Sequence, residues 1–191
     1  KKELIEATIE SIESHGFQGT TILTISRRAN LSAGIISHYF GSKQGLILAT
    51  IRHLLEELKQ GLLQQIANCE EPLTPELRLQ MIVDTNFACF QKSTSVTRTW
   101  LCFWAQALHD PELARLQAVN SKRLLQNLLY SYRQAIPDKE QALLAATMTA
   151  AMIDGLWLRS SLSKTSQDEF KKAEHVCKQF ISSQCQLGKT L

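Results

Sequence analysis

The chain has 191 residues, 44% of them hydrophobic and 20% charged, with 21 Lys and Arg against 18 Asp and Glu for a net charge of +3. That apolar share is ample for a packed core and excludes a disordered or low-complexity function, and the length suits one large domain or two small ones. Five cysteines, odd in number and without a Cys-x-x-Cys pair, exclude a disulfide framework or zinc ribbon and point to a cytoplasmic protein.

In chain order, Leu4, Ile5, Thr8, Ile9 and Ile12 recur at helical period and predict a first helix over 4–15, with Gly16 at its C-terminal turn. Thr20 or Thr21 then offers an N-cap hydroxyl to a short second helix, and Asn30 tolerates the left-handed turn that ends it. Ser32 caps a third helix reaching Tyr39, Gly41-Ser42 interrupts, and a longer fourth helix runs from Lys43 through Leu58. All four prolines lie beyond residue 70, so a second unit is expected from about residue 61 to 191. Pro75, Pro111 and Pro137 stand at or before its helix starts. These predict helices over about 76–91 and 111–135, and another from about 139. Residues 142–158 are apolar almost all round, and the pair of helices at about 139–163 and 167–184 predicts a homodimer seam. The apolar run 142–153 ends at Asp154, short of the roughly 18 residues of a spanning helix. The N-terminus has no signal-peptide core, so no membrane partner is expected. No alternating β pattern is found; the fold predicted is all-α, an N-terminal helix-turn-helix unit over 1–48 with a connecting helix to about 60, then a helical ligand-binding and dimerisation domain.

Charge placement says more than net charge. Between Ser14 and Leu55 there is no Asp or Glu, while Arg27, Arg28, Lys43 and Arg52 fall in that window. Spread evenly, the acids would place about four there. Two short helices joined by a tight turn, free of acids, suit insertion of the second into the major groove of double-stranded operator DNA. Ser37 and His38 are then candidates for base edges, Ala33 and Gly34 for close approach, and Tyr39 and Lys43 for phosphates, with Phe40 turned to the core.

Thr20-Thr21-Ile22 through Ile25, Arg28-Ala29, Leu31-Ser32, Ser37-His38-Tyr39-Phe40 and Lys43 with Leu46 resemble the N-terminal domain of the TetR family of one-component repressors. That resemblance implies a DNA-binding set of Thr21, Arg27, Arg28, Ser32, Ala33, Gly34, Ser37, His38, Tyr39 and Lys43. In it, 32–39 is the recognition helix and Lys43 grips a phosphate. Ser26, Asn30 and Ser37 depart from the usual pattern, so the operator sequence is not implied.

All three tryptophans fall beyond residue 61, and Trp100, Phe103, Trp104 and Ala107 share one helical face. Trp157 follows Asp154 by one turn. Aromatic rings with a carboxylate suit a quaternary ammonium ligand, each ring offering roughly 0.5–2 kcal/mol of cation–π attraction. The same aromatics read equally as core, and Asp154 as an ion-pair or dimer-seam residue. Asn86-Phe87, Trp100-Leu101, Phe103-Trp104-Ala105, Arg123-Leu124-Leu125 and Ile153 through Arg159 resemble the choline-responsive repressors of glycine betaine synthesis within that family. The resemblance implies choline as ligand; Phe87, Trp100, Trp104, Asp154 and Trp157 are the candidate ligand residues by chemistry. A multidrug-type repressor sensing lipophilic compounds is the alternative. An enzyme is the remote rival, since no phosphate loop, zinc-protease or nucleophile-elbow motif occurs; no catalytic residue, metal site or cofactor is expected. Cys177 and Cys185 read as buried hydrophobes before thiol sensors.

Overall fold

The computed structural model describes residues 1–91, 93–163 and 166–188, without the side chains at 89–91 and 166–167. Among the described residues every regular element is an α-helix: α1 (Lys2–Gly19), α2 (Ile22–Arg28), α3 (Ala33–Phe40), α4 (Lys43–Ala67), α5 (Pro75–Gln91), α6 (Thr94–Ala107), α7 (Pro111–Ala135), α8 (Lys139–Ser161) and α9 (Ser166–Leu187). The all-α expectation is met. One boundary differs: Gly16 does not end α1 but kinks it, at φ 68° and ψ 177°. A further turn follows because both the amide and the hydroxyl of Thr20 donate to the Gly16 carbonyl, at 3.2 and 2.7 Å.

The chain forms two compact units, Lys1–Glu57 with Lys92–Ala118, and Leu58–Gln91 with Val119–Leu191. The first break lies inside α4, after Glu57. Helix α6, which the sequence places in the C-terminal half, packs on α1. Arg98 on α6 donates to the Glu13 carbonyl at 2.9 Å, and the Cys102 thiol meets the backbone of Phe17. At the end of α6, Asp110 accepts from the Gln44 amide and caps α7 through the amides of Glu112 and Leu113.

In the first unit, Leu4, Ala7, Ile25, Ile36 and Leu46 from α1 to α4 form one core, sealed by Ile22, Leu31, Ile35 and Phe40. Each large apolar side chain so buried contributes about 1.5–3 kcal/mol. The second unit packs α5 and α8 on α9. Two polar pairs hold it inside: buried Tyr132 and Thr149 share a 2.8 Å hydrogen bond, and half-buried Ser182 donates to Glu76 at 2.6 Å. Lys178 on α9 pairs with Asp84 on α5 and with Glu174 on its own helix. Cys177 and Cys185 are buried and not in a disulfide, and burial pushes Cys177 up to about 12, which suppresses the thiolate a sensor needs. Cys89 lies outside the described side chains.

Candidate nucleic-acid interface and ligand-sensing residues

The reading head is set by its two short helices. Thr21, not Thr20, is the N-cap of α2: its Oγ1 accepts from the Thr24 amide at 3.1 Å, and the Thr24 hydroxyl accepts from the Thr21 amide at 2.8 Å. This reciprocal box fixes the start of α2. The turn after α2 uses Asn30 at φ 52°, as its sequence position predicts. It delivers Ser32 at the N-cap of α3, where the hydroxyl makes no capping bond, contrary to the cap expected of it.

Helix α3 turns Ile36 fully inward and leaves Ser32, Ala33, Gly34, Ser37, His38 and Tyr39 exposed. Phe40 packs on the core and Tyr39 stays 48% exposed. A methyl group added at Gly34 would meet nothing within 4 Å, so the protein's own packing does not require glycine there. At Gly45 the reverse holds: a Cβ would lie 2.0 Å from the Phe40 carbonyl oxygen, and only glycine lets α4 start so close behind α3. Ser42 completes that corner by accepting from the Gly45 amide at 3.0 Å.

The basic residues divide. Arg27 is exposed. Arg28 turns back on α1, donating to Glu10 at 3.2 Å and Ser14 at 3.0 Å, so it braces α1 against α2. Sequence spacing carried no sign of that cross-helix bond. Lys43 at the start of α4 is half-buried, its ammonium 5.5 Å from the centre of the Phe17 ring, which narrows where its charge sits. Lys1 lies over Tyr39 at 5.3 Å, a neighbour that sequence reading did not assign to the reading face.

The five candidate ligand residues do not form one cluster within either unit. Trp100, buried, and Trp104, half-buried, lie on α6 in the first unit; Phe87, Asp154 and Trp157 lie in the second. There Phe87 and Trp157 are joined by Phe170 of α9, which touches Phe87 at 6.4 Å and Trp157 at 6.3 Å between ring centres. All three are buried. Phe170 was missed because nothing in α9 marks it apart from ordinary core spacing. Asp154 departs from the expectation: it lies on the exposed side of α8 while Trp157 is turned in, about 60° apart on the helical wheel. Even so, the surrounding protein desolvates its carboxyl and raises its pKa to about 6. Among the described residues no group of three or more His, Cys, Asp or Glu is placed to hold a metal.

An exposed, acid-free helix presented by a capped helix-turn on an all-α scaffold defines a helix-turn-helix DNA-binding regulator. Residues 4–50 match the family described as bacterial regulatory proteins of the tetR family, and residues 75–186 match the BetI-type transcriptional repressor C-terminal family. The chain is 46% identical over 163 residues to the HTH-type transcriptional regulator BetI of Burkholderia lata, covering 85% of this chain and 82% of that one. Its fold matches a TetR transcription regulator from Haloarcula marismortui at a TM-score of 0.81 and 18% identity, over 95% and 96% of the two chains. It also matches a regulator from Saccharomonospora viridis, solved in complex with choline, at 0.79 and 18%, over 95% and 94%. The chain belongs to the TetR family of transcriptional regulators, with a C-terminal half of BetI type, and is a repressor rather than an enzyme.

Proposed function

We propose that this repressor controls glycine betaine synthesis genes in the cytoplasm and that choline, or a related quaternary ammonium compound, changes its grip on the operator. The observation that carries the reading is the BetI-type match over 75–186, supported by the buried aromatic cluster Phe87, Trp157 and Phe170 that it spans. Trp100 and Trp104 stay in the proposed sensing set; the helix that carries them, α6, packs on α1 within the first unit. Asp154 is assigned to the dimer seam instead of the aromatic cluster.

The proposed seam is the outward face of α8 and α9. Leu144, Met148, Ala151, Gly155, Leu158 and Leu162 follow one stripe spaced alternately four and three apart, the spacing of a helix-packing seam. Leu144 is 60% and Leu162 71% exposed, a patch that a second copy would cover. By length and composition α8 is also apolar enough to cross a membrane, and the dimer seam accounts for that apolarity. Two reading heads then meet successive major grooves about 34–36 Å apart. Choline acts by preferring one arrangement of them.

On DNA, Ser37 and His38 read base edges, Ala33 and Gly34 allow close approach, and Thr21, Arg27, Ser32, Tyr39 and Lys43 meet the backbone. Arg28 acts by bracing α1. Tryptophan fluorescence titrated with choline tests the sensing half: saturable quenching that is lost in Trp157→Ala is expected, and no response to choline overturns it. A lipophilic cation quenching where choline does not would favour the multidrug-type reading. For the DNA half, Lys43→Ala should lower the salt slope of operator binding by about one; an unchanged slope removes Lys43 from the phosphate contacts.

A further inference from the structure

The second unit carries a surface groove of about 550 Å³ between α5 and α7, away from the aromatic cluster in its lining residues, with Arg78, Gln126, Asn127, Tyr130, Arg133 and Gln134 around it. Among the described residues no carboxylate lines it. Arg78 is held firmly: its Nη1 donates to the Asn127 carbonyl and the Ser131 hydroxyl, both at 2.9 Å, and its Nη2 donates to the Asn127 side-chain oxygen at 3.1 Å. The guanidinium also stacks 4.9 Å from the centre of the Tyr130 ring.

Every one of these partners is neutral. Three of the five guanidinium N–H donors are used, leaving two for a ligand. Partial burial already disfavours the charge and lowers the Arg78 pKa by desolvation. Charges taken from water are normally matched by an opposite charge, and no Asp or Glu pairs with Arg78 or Arg133 among the described residues. Arg133 is exposed and lines the same groove, which gives it a second cation. A rigid fork, a second guanidinium and side-chain amides form the donor set for planar or tetrahedral oxyanions.

We propose that this groove is an anion-binding site, taking a small ligand with a carboxylate or phosphate group on Arg78 and Arg133. Two guanidinium groups repel a quaternary ammonium ion, so the site is separate from choline sensing and does not depend on it.

The test is isothermal titration calorimetry of the full-length protein with succinate, inorganic phosphate and choline chloride, each at ionic strength matched with sodium chloride. One-site binding of succinate or phosphate is expected, at least tenfold weaker in Arg133→Gln and in Arg78→Lys. Succinate alone binding would identify a carboxylate ligand, and phosphate alone a phosphoryl ligand. Arg133→Gln alters an exposed residue outside the core, so its melting temperature without ligand should match the unaltered protein even if Arg78→Lys destabilises the α5–α7 junction. Heats that follow ionic strength alone, or affinities unchanged in both variants, overturn the proposal.

Discussion

Glycines at two neighbouring corners of the reading unit show how the same residue answers to different demands. Gly45 is dictated by the protein, because a Cβ there collides with the Phe40 carbonyl. Gly34 faces open space, and glycine inside a helix costs about 0.5–1 kcal/mol relative to alanine. A destabilising residue with no internal cause, on the exposed face of α3, fits close approach by something outside the protein. Gly34→Ala is therefore expected to raise stability by about 0.5–1 kcal/mol in chemical denaturation. The same variant should weaken operator binding in fluorescence anisotropy; unchanged affinity would remove Gly34 from the contact face. Asp154 makes a second residue-scale case. Its carboxyl titrates near 6 in the folded chain against 3.8 for the unperturbed group, so the native state holds the proton more tightly. Stability from this group is fully present below the unfolded value and falls as pH rises through about 6. Asp154→Asn should then melt higher than the unaltered protein at pH 7.5, with the difference gone by about pH 4. A constant difference across that range would contradict it.

At the scale of elements, the helix-turn-helix was largely legible because its signals are local. The threonine cap of α2, offered by Thr20 or Thr21 and made by Thr21, and the left-handed Asn30 each follow from residue type and spacing within one or two turns. What was not legible depends on partners distant in sequence. Arg28 reads in sequence as a DNA-binding residue, and nothing local shows that Glu10 and Ser14, 18 and 14 positions away, hydrogen-bond to it. Helix α6 carries two tryptophans and reads as sensor, yet Arg98 and Cys102 tie it to α1 across more than 80 residues. Phe170 carries no chemical mark in sequence and gains meaning only from the rings beside it. The α3–α4 corner is the element whose geometry tolerates least. Gly45→Ala forces that corner apart, and a loss of about 1–3 kcal/mol is expected in urea unfolding, despite alanine's better helix propensity. A neutral effect would mean the corner relaxes freely.

For the whole molecule, the proposed function needs the reading heads in pairs, and the outward stripe of α8 is the surface proposed to pair them. Leu144→Glu combined with Met148→Glu places two like charges on each side of that seam. Both residues are exposed in the single chain, so its helical circular dichroism should persist. Sedimentation velocity should show a monomer, with operator affinity falling in parallel; a dimer surviving both substitutions would move the seam elsewhere. In the proposed function, a quaternary ammonium ligand sensed through the C-terminal half alters DNA binding by the N-terminal helices. The most direct measurement is operator affinity by fluorescence anisotropy, with and without saturating choline, on the full chain. A change of about fivefold or more is expected, the lower end of typical allosteric coupling, abolished in Trp157→Ala. Operator affinity that stays within about twofold at saturating choline would contradict it.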